Sequence, residues 1–209
     1  MSDGQKRAAA EKAARLVADG MTVGLGTGST VAFLLPALVG RDIRCVATST
    51  RTEEVARELG LALCPFESLE RLDIAIDGAD QIDQAGWLVK GGGAAHTREK
   101  IVAAAADRFV VIASSDKLVE ALAPPVPLEL LAFGLRATLR ALGHVELRDA
   151  PPSPDGGVIA DYLGPVDDPA DLAERLASTP GVVEHGLFPP ELVSEIIVGR
   201  GGGAERRTV

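Results

Sequence analysis

A chain of 209 residues with 46% hydrophobic content is long enough for one substantial core, or for a main domain with a small partner. Its net charge of −9 and its 3% aromatic content argue against a nucleic-acid partner, which needs a basic and stacking surface. An acidic chain can still hold a small phosphate, through a few lysines, helix N-termini and loop amides.

The first segment, Met1–Asp19, is charged and alanine-rich, and predicts a helix rather than an apolar signal core. Alanines and leucine recur at helical spacing from Lys6 to Val17, and Gly20 ends the run. Met21–Leu25 predicts a strand running into Gly26-Thr27-Gly28-Ser29-Thr30, followed by a helix over Val31–Val39 that Pro36 should kink or shorten. A strand, a glycine loop and a helix point backbone amides at an anion. The loop lacks the G-x-x-x-x-G-K-[ST] pattern, and Ser29 stands where a dinucleotide fingerprint wants glycine or alanine. The next strand, Ile43–Ala47, ends in Thr48-Ser49-Thr50 without the acid that would hold an adenosine ribose. A small phosphoester fits the loop better.

Thr50 and Glu53 read as a capping box for a helix to Leu59, stopped by Gly60. Leu61–Cys64, Leu72–Ile76 and Phe109–Ala113 are further apolar strands. Strands that alternate with helices and are apolar throughout predict a mainly parallel sheet covered on both faces. Such sheets bind ligands at the carboxyl ends of their strands. The Gly26 loop, Asp77–Asp80 and Ser114-Ser115-Asp116-Lys117 all follow strands and could share one crevice, although Lys117 alone reads equally as a surface lysine.

Between Leu72 and Lys100 the chain carries Asp77-Gly78-Ala79-Asp80, then Trp87-Leu88-Val89 delivering Lys90 onto Gly91-Gly92-Gly93, then a helix opening near Thr97 with Glu99 in its first turn. Singly these are a turn, a flexible loop and a favourable first-turn charge. Together they are acids at a strand end, an amine beside bare amides and a carboxylate at a helix start, the parts of a proton-transfer site.

After Pro124-Pro125-Val126-Pro127 the order becomes β-α-β-β-α-β: Val126–Leu131, a helix to Leu142, Val145–Arg148, Val158–Leu163, a helix over Asp168–Ser178, and Val182–His185. Asp168-Pro169 is a capped helix start. Leu192–Val198 predicts a strand returning to the main sheet, Pro151–Gly157 an irregular loop, and Gly201–Val209 a frayed end. The division expected is residues 1–125 with 186–209 as one unit and 126–185 as a smaller one.

The runs DGAD, KGGGAA and TREK, with GLGTGST upstream and PGVVEHGLF at residues 180–188, resemble the type A family of ribose-5-phosphate isomerases along nearly the whole chain. The resemblance implies a Rossmann-like α/β catalytic domain with a ferredoxin-like α+β domain. It also implies interconversion of ribose 5-phosphate and ribulose 5-phosphate through a cis-enediolate, without metal or organic cofactor, in the pentose phosphate pathway. Glu99 then corresponds to the general base, with Lys90 and Asp77 as its polar partners. Thr27, Gly28, Ser29, Thr30, Asp77, Gly78, Ala79, Asp80, Lys90, Gly91, Gly92, Gly93 and Lys117 correspond to substrate-binding positions. A homo-oligomer, most often a dimer, is implied as well.

The chain departs from the family pattern at Gln81, where glutamate is common, at His96, where leucine is usual, and at Gly156-Gly157, where an asparagine turn is usual. A lone histidine such as His96 suggests packing or a supporting hydrogen bond rather than catalysis. Asp77, Asp80 and Asp83 offer oxygens to a metal, but no matching loop surrounds them. Cys45, Cys64 and the scattered His96, His144 and His185 form no ligand or disulfide spacing, and no apolar run spans a bilayer. A reduced, cytoplasmic protein without a membrane partner is expected. Two other classes remain to be weighed. A sugar-phosphate-sensing domain would need a DNA-binding helix pair, for which the segment before Met21 is too short. An acyl-coenzyme A transferase would need a thioester-forming glutamate.

Overall fold

The apolar runs of the first half become neighbouring parallel strands. The computed structural model describes residues 2–209, so Met1 lies outside the described residues. The chain runs α1 (Ser2–Ala14), β1 (Thr22–Leu25), α2 (Val31–Ala37), β2 (Arg44–Ala47), α3 (Thr50–Glu58), β3 (Ala62–Leu63) and β4 (Ile74–Asp77). Then come β5 (Gln81–Ile82), β6 (Leu88–Val89), α4 (His96–Ala104) and β7 (Phe109–Ser114). The second half adds β8 (Val126–Leu130), α5 (Leu135–Leu142), β9 (Val145–Leu147), β10 (Val158–Tyr162), α6 (Pro169–Ala177) and β11 (Val182–His185). The chain closes with β12 (Leu187–Phe188), β13 (Glu195–Arg200) and β14 (Gly203–Thr208).

Seven strands form the main sheet in the order β14-β13-β7-β4-β1-β2-β3, parallel except for β14. Successive side chains of a strand point to opposite faces, and the core divides accordingly. Ile74, Ile76, Val110 and Ile112 face one cluster with Ala9, Ala13, Leu34 and Leu38 of α1, α2 and its C-terminal edge. Ala75, Phe109, Val111 and Ala113 face the other, with Val102 and Ala103 of α4. Each such residue, fully buried, contributes about 1.5–3 kcal/mol for the larger side chains. Gly24 sets how close α4 comes, because a Cβ there would lie 2.5 Å from Val102 Cγ1.

A four-stranded antiparallel sheet, β11-β8-β10-β9, packs α5 and α6 through Leu142, Leu172 and Leu176, giving the expected ferredoxin-like order. Asp168 caps α6 as its sequence predicts, accepting from the Ala170 and Asp171 amides at 2.9 and 3.1 Å. A third sheet, β12-β6-β5, was not expected and brings Leu187–Phe188 beside Leu88–Val89. No helix among the described residues is long and apolar enough to cross a membrane.

Three expectations need correction. The C-terminal segment is not frayed: β14 pairs with β13 in full antiparallel register from Glu195–Thr208 to Arg200–Gly203. The cap of α3 is Ser49 rather than Thr50; its hydroxyl accepts from Thr52 N at 3.2 Å from an extended backbone, the geometry an N-cap requires. The return strand starts at Glu195 because Pro190–Leu192 makes a 3₁₀ turn instead of extending.

Candidate active site

Three adjacent strands of the main sheet end at one edge and supply the site. At the end of β4, Asp77 turns back under the loop after β1: its Oδ1 accepts from Thr27 N at 3.0 Å and from Gly78 N at 2.7 Å. The approach requires Gly26, where a Cβ would lie 1.9 Å from the Asp77 carboxyl. Hydroxyls brace the loop from behind. Thr27 Oγ1 shares a 2.9 Å bond with Thr48 and donates to Ser49, while Thr52 Oγ1 donates to Gly26 O at 2.9 Å.

Lys90 is delivered by β6, and its amide donates to Gly186 O at 2.8 Å. Its ammonium donates to Asp77 Oδ2 at 2.8 Å and to Gly78 O at 2.6 Å, lies 3.1 Å from Glu99 Oε2, and sits 5.3 Å from the Phe188 ring centroid. Glu99 rises from the first turn of α4. Its Oε2 is buried, and the Lys90 ammonium is the donor beside it. Asp77, Lys90 and Glu99 are 3%, 2% and 4% exposed, so their charges act on one another with little water between them.

One ammonium between two carboxylates leaves the cluster with an excess negative charge. Burial, then the Asp77 charge, pushes Glu99 up to about 8, against the pull of Lys90. Burial also raises Asp77, against Lys90 and the Gly78 and Thr27 amides. Burial would lower Lys90, but the two carboxylates outweigh it and keep the amine cationic. Asp77 accepts from three donors, whereas Glu99 has only the shared Lys90 ammonium beside it, so Glu99 is where the excess proton goes.

Over the cluster lies a cavity of about 110 Å³ walled by Thr27–Thr30, Gly78–Asp80, Lys90–Gly93, Glu99 and Lys117. These wall positions are all ones the sequence singles out. Asp77 alone of that set is set back from the wall, beneath it, as the partner of Lys90. Lys117 is thereby at the crevice. A larger cavity of about 790 Å³ uses Arg98 and Ile101 of the same helix, but holds no carboxylate–amine cluster. Among the described residues no three His, Cys, Asp or Glu side chains converge as metal ligands.

The departures acquire structural reasons. Gln81 bonds both ways with the Ala123 backbone, Nε2 donating at 2.7 Å and Oε1 accepting at 2.8 Å; a glutamate could only accept. His96 is fully buried against Gly91, and neither ring nitrogen has a hydrogen-bond partner, so it packs. Gly157 lies against the buried Glu129, where a Cβ would come within 2.2 Å of Oε1, and Glu129 in turn accepts from Thr97 and Ser153. The sequence reading missed Glu129, Arg148 and Asp161, which hold the start of α4 and the glycine loop from the small sheet. Their only signal is spatial.

An α/β sheet whose carboxyl edge carries a glycine-walled pocket above a buried carboxylate–amine cluster has the parts to move protons on a small substrate. The family model of ribose 5-phosphate isomerase A (phosphoriboisomerase A) matches residues 44–203. The ribose-5-phosphate isomerase A of Natronomonas pharaonis is 46% identical over 99% of this chain and 97% of its own. The solved ribose 5-phosphate isomerase A from Neisseria gonorrhoeae superposes with a TM-score of 0.95 at 34% identity, covering 100% of this chain and 97% of that one. A D-ribose-5-phosphate isomerase solved in complex with phospho-erythronic acid gives 0.94 at 33% identity, covering 100% of both chains. The chain belongs to the ribose 5-phosphate isomerase A family. Neither a sensor domain nor an acyl-coenzyme A transferase is favoured by these likenesses.

Proposed function

We propose that the Asp77–Lys90–Glu99 cluster moves the proton in the interconversion of D-ribose 5-phosphate and D-ribulose 5-phosphate, the aldose–ketose isomerisation of the family to which the chain belongs. The observation that carries this reading is Glu99: a buried carboxylate on the pocket wall, 3.1 Å from the Lys90 ammonium, with a proton affinity raised by burial. In the open-chain aldose, Glu99 takes the proton from C2 and the electron pair moves onto the C1 carbonyl oxygen, giving the enediolate. Return of the proton to C1, with transfer of the C2 hydroxyl proton to the C1 oxygen, leaves a hydroxymethyl group at C1 and the ketone at C2. Lys90, held cationic by two carboxylates, stabilises the oxyanion that develops. Asp77 holds Lys90 in place.

The amides and hydroxyls of Thr27–Thr30, with Lys117, are the groups of the wall suited to the phosphate. Asp80 accepts from Gly92 N at 2.8 Å and so shapes the glycine loop. Since Lys90 supplies positive charge at the reacting end, the reading needs no metal and no organic cofactor. It further divides the chain into a catalytic unit, residues 1–125 with 186–209, and a smaller unit, 126–185. The working form we assign is a cytoplasmic homodimer or higher homo-oligomer; a monomer in sedimentation at working concentration contradicts that assignment. The test of the function is a coupled assay of ribose 5-phosphate conversion with and without exhaustive chelation. Equal turnover in both supports the reading, whereas activity lost on chelation and restored by a divalent ion contradicts it.

A further inference from the structure

The glycine loop is gripped from a side that the catalytic cluster does not touch. Arg148, just beyond β9, presents its guanidinium to Asp161 of β10: Nε donates to Oδ2 at 2.9 Å and Nη2 donates to Oδ1. The remaining arm, Nη1, donates to Gly91 O at 2.9 Å and to Gly92 O at 3.3 Å. Both side chains are 20% exposed, so the pair is largely withdrawn from screening by salt. Only a planar fork can hold a carboxylate with one edge and carbonyls with the other.

The consequence falls on two peptide groups. The Gly91–Gly92 peptide is held at both ends, its carbonyl by Arg148 and by the Ala94 N–H, and its own N–H by Asp80. The Gly92–Gly93 peptide is held at its carbonyl alone, and the Gly93 N–H has no acceptor among the described residues. A trans peptide sets its C=O and N–H in opposite directions. Arg148 on the carbonyl therefore turns the Gly93 N–H away from the small sheet, and Gly93 is part of the pocket wall with Lys90 and Glu99. Ala94 N closes a turn on Gly91 O at 3.0 Å around Gly92 and Gly93. Arg148 adds a side-chain hold on the central peptide of that turn, whose flanking glycines permit either orientation.

We propose that Arg148, braced by Asp161, is a positioning residue that fixes the Gly92–Gly93 peptide so that the Gly93 N–H donates to the substrate oxygen on which charge develops. This rests on the isomerase reading of the pocket. The donor would act beside Lys90 and strengthen as the enediolate forms, so its loss falls on kcat more than on KM.

Arg148→Met and Arg148→Lys are measured alongside a double variant, Arg148→Met with Asp161→Asn, that leaves no stranded carboxylate. The expected result, per folded protein, is a kcat lower by roughly 10- to 100-fold with KM changed far less, partly recovered by lysine. The Gly93 amide resonance, shifted by ribose 5-phosphate in the parent, should lose that response in both methionine variants. Unchanged kcat in a folded variant, a loss that tracks the unfolded fraction alone, or an intact Gly93 response overturns the proposal. Glu99→Gln in the same series separates the two readings. If it stays active, the cluster assignment fails; if it is inactive while Arg148→Met is fully active, only the role of Arg148 fails.

Discussion

At the scale of single residues, the excess negative charge under the pocket sets a pH dependence. On the proposed assignment Glu99, raised to about 8 by burial and by Asp77, becomes competent as the base as pH rises. A carboxylate with a raised pKa is a stronger base once ionised, which suits removal of a carbon-bound proton. The expected profile of kcat/KM for ribose 5-phosphate therefore climbs through a midpoint near 8. A profile flat from acid to alkaline pH, or one already at its plateau by the ordinary carboxylate range, contradicts the assignment. His96 gives no competing limb near neutrality, because burial and then Lys100 lower it to about 4.

At the scale of elements, the site exists because β7, β4 and β1 are neighbours and parallel, so their following segments meet at one edge. That much was legible, since buried parallel strands read as unbroken apolar runs and glycine loops mark their ends. The polar edge was not. Strand β14, GAERRT, has no apolar alternation to announce it; it is ordered by backbone pairing and by Arg206, which joins Arg108 on the buried Glu195. Strands β5, β6 and β12 are two residues each, too short for any period to show. Gly26 tests how closely the elements must meet. Gly26→Ala places a methyl onto the Asp77 carboxyl, so kcat should fall by about 10²-fold, the cost of displacing a catalytic group by about 1 Å, with the circular dichroism spectrum retained. Parent-like turnover in this variant would mean that Asp77 need not sit where it does.

At the scale of the whole molecule, the proposed phosphate site of a chain with a net charge of −9 depends on loop amides, hydroxyls and Lys117 at one edge of the sheet. The motifs gave the wall of that pocket, because its residues fall in three short runs with Glu99 and Lys117 standing apart. Arg148 and Asp161 were invisible to the same reading, since Arg148 reaches the loop across 57 residues of chain and Asp161 acts only by bracing it. The buried cluster also links function to stability. The raised Glu99 contributes stability that is full below its unfolded value of 4.5 and is lost as pH rises through about 8. Glu99→Gln removes that dependence, so its unfolding temperature should exceed the parent's at pH 9 by more than at pH 6. The most direct test of the account is the turnover of the same variant. Folded Glu99→Gln should convert ribose 5-phosphate with kcat lower by roughly 10²–10⁴-fold. Turnover within a few-fold of the parent would show that another group takes the C2 proton.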